Sequence, residues 1–297
     1  MDHYTKNLND WKKACEISAK ALEYGKNLIV KGMDAFEICK KVDAKIIDLG
    51  GNLAFPSQIS LNETAAHNCP IESKILKDEI IKLDVGAEFN SAIGDNACTV
   101  DLSGKYGDLV DASRNALNEA IKIIKPGLKI REIGKIIEET IKKHGFTPIS
   151  NLSGHGLDYN SIHTDPTIPN FDNGNNNQLE EGMIFAIEPF ATTGVGKIYE
   201  SGEGTIYSQV ILRPVRSPIE RKVLAYISQY KGRPFSLRDL LKTFSEGQLR
   251  IALKGLNRQG IIRTYPPLVE AKKGLVSQAE HTVLVTKNGC EVLTKIN

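Results

Sequence analysis

The sequence lacks the features that would place it in a membrane or in an oxidising compartment. No apolar run reaches the roughly 18 residues that are needed to cross a bilayer, and the polar start MDHYTKNLNDWKK has no apolar core of a secretory signal. An odd, scattered set of five cysteines argues against both a disulfide framework and a thiolate zinc site: Cys15, Cys39, Cys69, Cys98 and Cys290. We therefore expect a cytoplasmic protein with no membrane partner, and a monomer by default.

A strong overall charge is also missing, although the charge is unevenly distributed. The net charge of +2 excludes general attraction to nucleic acid or membranes. The segment 216–263, however, holds eleven basic and three acidic side chains and so carries +8, which leaves −6 on the rest of the chain. We interpret this segment as a basic solvated face without specific DNA binding. A further hypothesis is a weak association with the ribosome through phosphate contacts.

Helical periodicity appears twice in a similar form. Apolar residues at helical spacing from Asp10 predict an amphipathic helix that ends at Gly32. The next segment, 32–46, aligns without a gap on 127–141, with Gly, Glu, Ile and Lys coinciding at four positions. Amphipathic helices share a period in any case, so the pattern alone leaves two interpretations open, unrelated helices and a duplicated α/β half.

Strands are predicted between these helices, which indicates an α/β or α+β sheet core. The predicted strands are 79–85 and 89–101, separated by a turn at Gly86, followed by 183–188 and 280–286. The stretch 210–269 breaks this rhythm with helices predicted at 219–230, 236–243 and 246–258. We therefore predict a catalytic domain formed by 1–209 plus 270–297, and an inserted basic subdomain of winged-helix type at 210–269.

Two aspartates on the predicted hairpin are the first candidates for chemistry. Asp84 lies on the polar side of IIKLDVG, and Asp95 lies on the next strand. Antiparallel neighbours can place two carboxylates close together, and a bound cation relieves the repulsion that results. The alternative is a pair of solvated strand-face residues.

Three further residues have unusual contexts. His155 lies between two glycines in SGHGLD, Glu188 ends the apolar run MIFAIE, and Glu280 begins the strand EHTVLV. Buried carboxylates need partners. One imidazole and four carboxylates suit a pair of divalent ions such as Co, Mn, Fe or Zn, and ligand type alone does not choose among these metals.

In order and in context, these five residues resemble the ligand pattern of the methionine aminopeptidases. The contexts are LDVG, DNACT, SGHG, AIEPF and EHTVLV, and the resemblance covers nearly the whole chain. It implies the pseudo-symmetric pita-bread (creatinase/aminopeptidase) fold, which would explain the internal repeat. An insertion of about 60 residues between the fourth and fifth ligands is typical of type II enzymes. A catalytic pattern without an N-terminal extension is similar to that of the archaeal members.

The resemblance implies a role for each of the five. Asp84 would hold one ion, His155 and Glu188 the other, and Asp95 and Glu280 would bridge the two. The implied reaction is removal of the N-terminal methionine from nascent polypeptides and peptides with a small second residue. A metal-bridging hydroxide would attack the first peptide bond, and Glu188 would act as the general base.

Four more residues match substrate-contacting positions of the family. His67 in NETAAHN corresponds to a histidine near the scissile bond, and His163 to a second histidine that stabilises the tetrahedral intermediate. Phe55 in AFPS and Tyr265 in TYPPL correspond to residues that line the methionine pocket.

Two rival interpretations stay open from the residues. Prolidases and X-prolyl aminopeptidases share the fold and the ligand set, but typically carry an additional N-terminal domain. A non-catalytic relative that binds RNA through its basic insertion is the other rival. Such relatives lose metal ligands, whereas this chain keeps all five.

Overall fold

The computed structural model describes residues 7–296, so the first six residues of the polar N-terminal segment lie outside it. The main helices are α1 (Leu8–Leu28), α2 (Ala35–Asp48), α3 (Gly107–Ile123) and α4 (Ile130–Lys143). The helices of the insertion are α5 (Pro218–Ile227), α6 (Leu237–Leu240) and α7 (Glu246–Arg258), with a 3₁₀ turn at Ser228–Tyr230.

The strands form one large antiparallel sheet and three small ones. The large sheet has eight strands in the order β1-β3-β4-β16-β8-β6-β7, with β17 added beside β16: β1 (Asn52–Leu61), β3 (Ile80–Phe89), β4 (Ala92–Asp101), β6 (Ser153–Asp158), β7 (Ser161–Pro169), β8 (Ile184–Ile187), β16 (Glu280–Thr286) and β17 (Gly289–Val292). The small sheets are β10-β14-β2, β12-β11-β13 and β15-β9-β5. Their strands are β2 (Thr64–Ala66), β5 (Thr147–Pro148), β9 (Phe190–Thr192), β10 (Ile198–Glu200), β11 (Ile206–Gln209), β12 (Phe235–Ser236), β13 (Ile262–Tyr265), β14 (Leu268–Glu270) and β15 (Val276–Gln278).

The repeat seen in the sequence is a repeat in space. Helices α2 and α4 each have 14 residues and begin 95 positions apart, the offset of the sequence alignment. Each is preceded by a left-handed glycine whose amide donates to a leucine carbonyl: Gly32 to Leu76 at 2.9 Å, and Gly127 to Leu179 at 2.8 Å. Equivalent bonds in both halves support the duplicated α/β half over the shared period of unrelated helices.

Two apolar clusters hold the helices against the sheet, one in each half. The first joins α1 and α2 to β3 through residues such as Ile17, Val42 and Leu83. The second joins α3 and α4 to β8 and β16 through residues such as Ile133, Phe185 and Val283. Burial of these faces stabilises the packing of the helices against the sheet, because it removes their apolar area from water.

The hairpin that carries the two aspartates is longer than the sequence suggests. The predicted turn at Gly86 is wrong, because β3 runs through it and the chain turns at Asn90 and Ser91, both with positive φ. Glycine is needed at 86 for another reason: a Cβ there would overlap the ring of Phe55. The opening helix also ends earlier than predicted, at Leu28 rather than at Gly32.

The basic segment packs around its own apolar core. Val223, Phe235 and Leu253 belong to one buried cluster formed by α5, α7 and the small sheet β12-β11-β13. Ser245 and Gln248 form a capping box at the start of α7, which places this helix at the predicted 246–258. The helix predicted at 236–243 is only the short α6. The central strand of this small sheet, β11, lies just before residue 210, where the inserted subdomain is predicted to begin. The boundaries of the catalytic domain and of the inserted subdomain stay predictions.

Within residues 7–296, none of the helices is both long and apolar enough to cross a membrane.

Candidate metal centre

Five neighbouring strands of the large sheet each bring one predicted ligand to the same place. Asp84 lies on β3, Asp95 on β4, Glu280 at the start of β16, Glu188 directly after β8, and His155 on β6. In the strand register Gly86 pairs with Asp95 and Asp84 pairs with Ala97, so the two aspartates are diagonal neighbours on one face. Glu280 pairs with the same Ala97 from the other side.

The five side chains converge in two groups that share one residue. Ligand atoms of Asp95, His155 and Glu280 lie within 4.8 Å of one another, as do those of Asp84, Glu188 and Glu280. The shared position of Glu280 is the one expected of a bridging ligand. Glu188 groups here with Asp84, whereas the family resemblance assigns it to the ion that His155 holds.

The carboxyl groups of this centre resist ionisation. Burial raises the pKa of Asp84 to about 7, against a weaker opposing hydrogen bond from Gln278. Burial, followed by the neighbouring carboxylates, holds the pKa of Asp95, Glu188 and Glu280 well above their usual range. Four carboxyls this close can all be ionised at neutral pH only beside compensating positive charge.

His155 is a neutral imidazole that can offer a lone pair. Burial, helped by neighbouring His163, lowers the pKa of His155 to about 3. Its Nδ1 lies 3.3 Å from the carbonyl oxygen of Gly156, which only an N–H can satisfy. The lone pair is therefore on Nε2, which faces Asp95 Oδ2 at 3.8 Å.

The donor set fits divalent metal ions. Four buried carboxylate oxygens of the centre have no hydrogen-bond partner among the described residues: Asp84 Oδ1, Asp95 Oδ1, and both Oε1 and Oε2 of Glu280. Such atoms carry a large desolvation cost unless a cation or proton satisfies them. Oxygen ligands with one imidazole suit Mn, Fe, Co or Zn, and exclude a thiolate site.

All nine residues that the sequence singles out line one cavity of about 220 Å³. Beyond the five above they are Phe55, His67, His163 and Tyr265. The ring of His67 meets that of Tyr265 edge-on at 5.6 Å, and the ring of His163 meets that of His155 at 4.5 Å. The arrangement brings both predicted substrate-contacting histidines beside the carboxyl cluster.

The backbone at these two histidines is strained. His67 and His163 both have φ of 62°, a left-handed conformation that non-glycine residues rarely adopt. Strain of this kind persists where the surrounding structure imposes it, which is common at functional sites. Burial, assisted by His163, lowers the pKa of His67 to about 4, so its ring is neutral at pH 7.

Sequence reasoning missed a polar residue beside the carboxyl cluster. Gln278 Nε2 donates to Glu188 Oε1 at 2.8 Å, and its backbone is held by Thr99 through two hydrogen bonds. Its position two residues before Glu280 was an available signal, because alternate residues of an extended chain share a face. Ile206 of β11 and Pro234 of the basic segment also line the cavity, and neither has such a signal.

Comparison with known proteins identifies the family. The model of "Metallopeptidase family M24" matches residues 9–287. A methionine aminopeptidase of Methanocaldococcus jannaschii is 45% identical over 287 residues, which cover 95% of this chain and 97% of the relative. The chain belongs to the methionine aminopeptidases of metallopeptidase family M24. The methionine aminopeptidase of Thermococcus onnurineus is 43% identical over the same shares.

Solved structures confirm the predicted pita-bread fold of this family. The methionine aminopeptidase of Thermotoga maritima superimposes with a TM-score of 0.73 at 25% identity, covering 98% of both chains. A prolidase of Pyrococcus furiosus gives 0.64 at 22% identity, covering 99% of this chain and 65% of the prolidase. At 22% identity the likeness to the prolidase shows a shared fold and nothing about activity. Membership in a metallopeptidase family also supports divalent metal binding at this centre.

Proposed function

We propose that this chain removes the N-terminal methionine from polypeptides, and that it is a type II enzyme. The observation that carries the proposal is the convergence of Asp84, Asp95, His155, Glu188 and Glu280 on one cavity, with four buried oxygens that lack a partner. Membership among the methionine aminopeptidases supports the reaction. The segment inserted between Glu188 and Glu280 supports the subtype.

The five converging side chains would hold two divalent ions. When bound, such a pair lowers the pKa of the water between the ions and polarises the scissile carbonyl. Asp95 and Glu280 would bridge the ions, Asp84 would complete one site, and His155 and Glu188 the other. The raised pKa values of the four carboxyl groups fit this assignment, because bound cations favour the ionised carboxylates.

Glu188 is proposed to move the proton. Gln278 occupies one carboxylate oxygen of Glu188 at 2.8 Å and fixes the plane of the group. The other oxygen is left to accept a proton from the attacking water and to return it to the leaving amine. A buried carboxyl whose intrinsic pKa is raised is a stronger base than an exposed one once it is ionised.

The two histidines are proposed to hold the peptide. The neutral ring of His67 directs its one N–H to the backbone carbonyl of Pro266, so its other nitrogen can accept a hydrogen bond from the substrate backbone, and its edge-on contact with Tyr265 limits its rotation. His163 lies exposed at the cavity rim, beside His155. From there it can stabilise the oxygen that becomes negative in the tetrahedral intermediate.

The cavity walls suit an unbranched thioether. Phe55, Ile206, Pro234 and Leu268 supply apolar surface near the carboxyl cluster. A volume of about 220 Å³ is small for a ligand site, so a methionine side chain would fill much of it. Limited space beside it is in line with a small second residue in the substrate.

Release of free methionine tests the proposal directly. The ion-depleted protein should be inactive on Met-Gly-Ser and regain activity on addition of Co, Mn, Fe or Zn, with about two ions bound per chain. The best activating ion identifies a preferred metal. Cleavage of Xaa-Pro dipeptides in place of Met-Gly-Ser would instead support the prolidase alternative.

The basic segment supports a second proposal, which concerns the location of the enzyme. Nine of its eleven basic side chains are exposed, against one of its three acidic ones. This face could hold the enzyme in the cytoplasm close to ribosomal RNA, where nascent chains emerge. Co-sedimentation with ribosomes that weakens as salt rises is expected. Absent or salt-independent co-sedimentation would contradict the proposal and leave the peptidase activity unaffected.

A further inference from the structure

Two arginines of the basic segment differ from the other nine basic residues. Arg233 and Arg238 are only 6% and 4% exposed, whereas the rest point into solvent. A buried guanidinium is tolerated where carboxylates and carbonyls satisfy it. Both arginines find these partners across the seam between the basic segment and the rest of the chain: Arg233 on the main sheet, and Arg238 on α2 and the loop at Pro70.

Arg233 connects two neighbouring stretches of chain. Its Nη1 donates to the carbonyl oxygen of Leu53 and to Glu88 Oε2, both at 2.7 Å. Its Nε donates back to Tyr230 at 3.1 Å, which fixes the 230–233 turn. Glu88 in turn accepts a hydrogen bond from the side chain of Asn52 at 2.9 Å. The Arg233 guanidinium therefore joins the 230–233 turn to the start of β1.

Both stretches lead at once into the wall of the cavity. Pro234, directly after Arg233, lines the cavity, and so does Phe55, two residues after Leu53. The two side chains come from parts of the chain about 180 positions apart. Arg233 itself does not line the cavity.

Other hydrogen bonds also cross the seam, so docking of the basic segment does not depend on Arg233 alone. Arg238 pairs with Asp43 and also donates to the carbonyl of Pro70 at 3.4 Å. Thr205 Oγ1 donates to the carbonyl of Cys69 at 2.8 Å. With these contacts intact, loss of Arg233 should move the Pro234 side of the pocket without undocking the segment.

We infer that Arg233 is a positioning residue that sets the width of the side-chain pocket between Pro234 and Phe55. It thereby controls discrimination between methionine and branched side chains at the substrate N-terminus. This inference rests on the proposed function, since it concerns the pocket of that reaction. Widening an apolar pocket weakens binding of the substrate and of its transition state alike, so KM should rise while kcat is retained.

Steady-state kinetics of the metal-loaded Arg233→Met variant test this. Three peptides serve as probes: Met-Ala-Ser, norleucine-Ala-Ser and Leu-Ala-Ser. We expect KM for Met-Ala-Ser to rise about tenfold with kcat within about twofold of wild type. The ratio of kcat/KM for Met over Leu should fall by a similar factor. Arg233→Lys should give an intermediate result, because it keeps the charge but not the forked geometry.

The matched control is Arg250→Met, an exposed arginine of the same segment. It should leave KM, kcat and the Met/Leu ratio unchanged. Should Arg233→Met fail to fold, Arg233→Lys and Glu88→Gln provide the same kinetic comparison.

Two results would overturn the inference. One is a lower Tm or lower metal content with KM and the Met/Leu ratio unchanged, because a purely structural arginine behaves in that way. The other is no kinetic change in any variant. Absence of methionine release by the wild-type enzyme is a different failure, since it refutes the proposed function itself.

Discussion

The molecule buries charge in two regions, and the two differ in how that charge is satisfied. At the middle of the main sheet, Asp84, Asp95 and Glu280 present buried oxygens without a hydrogen-bond partner in the described chain. At the seam with the basic segment, Arg233 and Glu88 are equally buried, yet they bond each other at 2.7 Å and also bond neighbouring groups.

We expect this difference to separate a candidate metal centre from a contact that joins two parts of the chain. An unsatisfied buried carboxylate costs folding free energy, and it persists where an external cation completes it. A satisfied buried pair holds two pieces of chain in register, and breaking it is costly because one charge is left alone. The four predictions below test this contrast, from the largest expected effect to the smallest.

The strongest test removes a residue that would bridge the ions. Asp95→Ala and Glu280→Ala should each abolish turnover and lower the bound metal, because each would contact both ions. Peptide assays with elemental analysis of the same samples measure both. Full activity in either variant would show that the unpartnered oxygens do not mark the reaction centre.

A smaller loss is expected when a cavity residue outside the ion-holding set is changed. His67→Ala should lower turnover about 10²-fold, a typical effect of losing one polar catalytic group. Metal content should stay at the wild-type level, since His67 lies outside both ligand groups. Metal loss in this variant would show that His67 contributes to metal binding and does not act on the substrate alone.

The buried ion pair at the seam should contribute measurably to the free energy of unfolding. Glu88→Gln is expected to lower the free energy of unfolding by about 3 kcal/mol, because Arg233 keeps its charge but loses its ionic partner. The control is Glu37→Gln, whose pair with Lys40 is exposed on both sides. It should cost less than about 0.5 kcal/mol. Equal losses of unfolding free energy for the two variants in urea titrations would contradict the expected difference between buried and exposed ion pairs.

Glu270 is a buried carboxylate that accepts hydrogen bonds from the chain itself. Its replacement should have the smallest of the four effects. Burial acts to raise its pKa, but backbone amides of Gly274, Lys272, Val195 and Gly196 together outweigh it and lower the pKa. The ionised form therefore stabilises the fold above the ordinary pKa of Glu, about 4.3, and this contribution is lost as pH falls through the lowered value.

Glu270→Gln should accordingly cost about 1–2 kcal/mol at pH 7. The difference from wild type should shrink below about pH 4, where protonation removes the advantage of the carboxylate. Thermal unfolding of both proteins across this range measures it. A difference that is constant with pH would show that the four amides do not act through the ionised group.

Local patterns were sufficient for some elements and misleading for others. The strand that contains Asp84 and the capping box at Ser245 depend on residues a few positions apart, and both agree with the structure. Gly86 looked like a turn because glycine often marks one. Its real cause, the ring of Phe55 packed over β3, lies about 30 positions away and has no local signature.

The same limit explains the incomplete view of the cavity. The predicted ligands are recognisable because each sits in a distinctive short context. Gln278 and Pro234 sit in ordinary ones, and only strand pairing and docking bring them to the site.

By itself the sequence determined the duplicated helices, the set of acidic residues with one histidine, and the family they indicate. These depend on periodicity and short motifs, which a linear chain displays directly. Only the tertiary structure decided which two of eleven like-charged residues are buried, and which side chains close the pocket. Burial is a property of contacts between distant segments, so identical arginines acquire different roles only once the chain is folded.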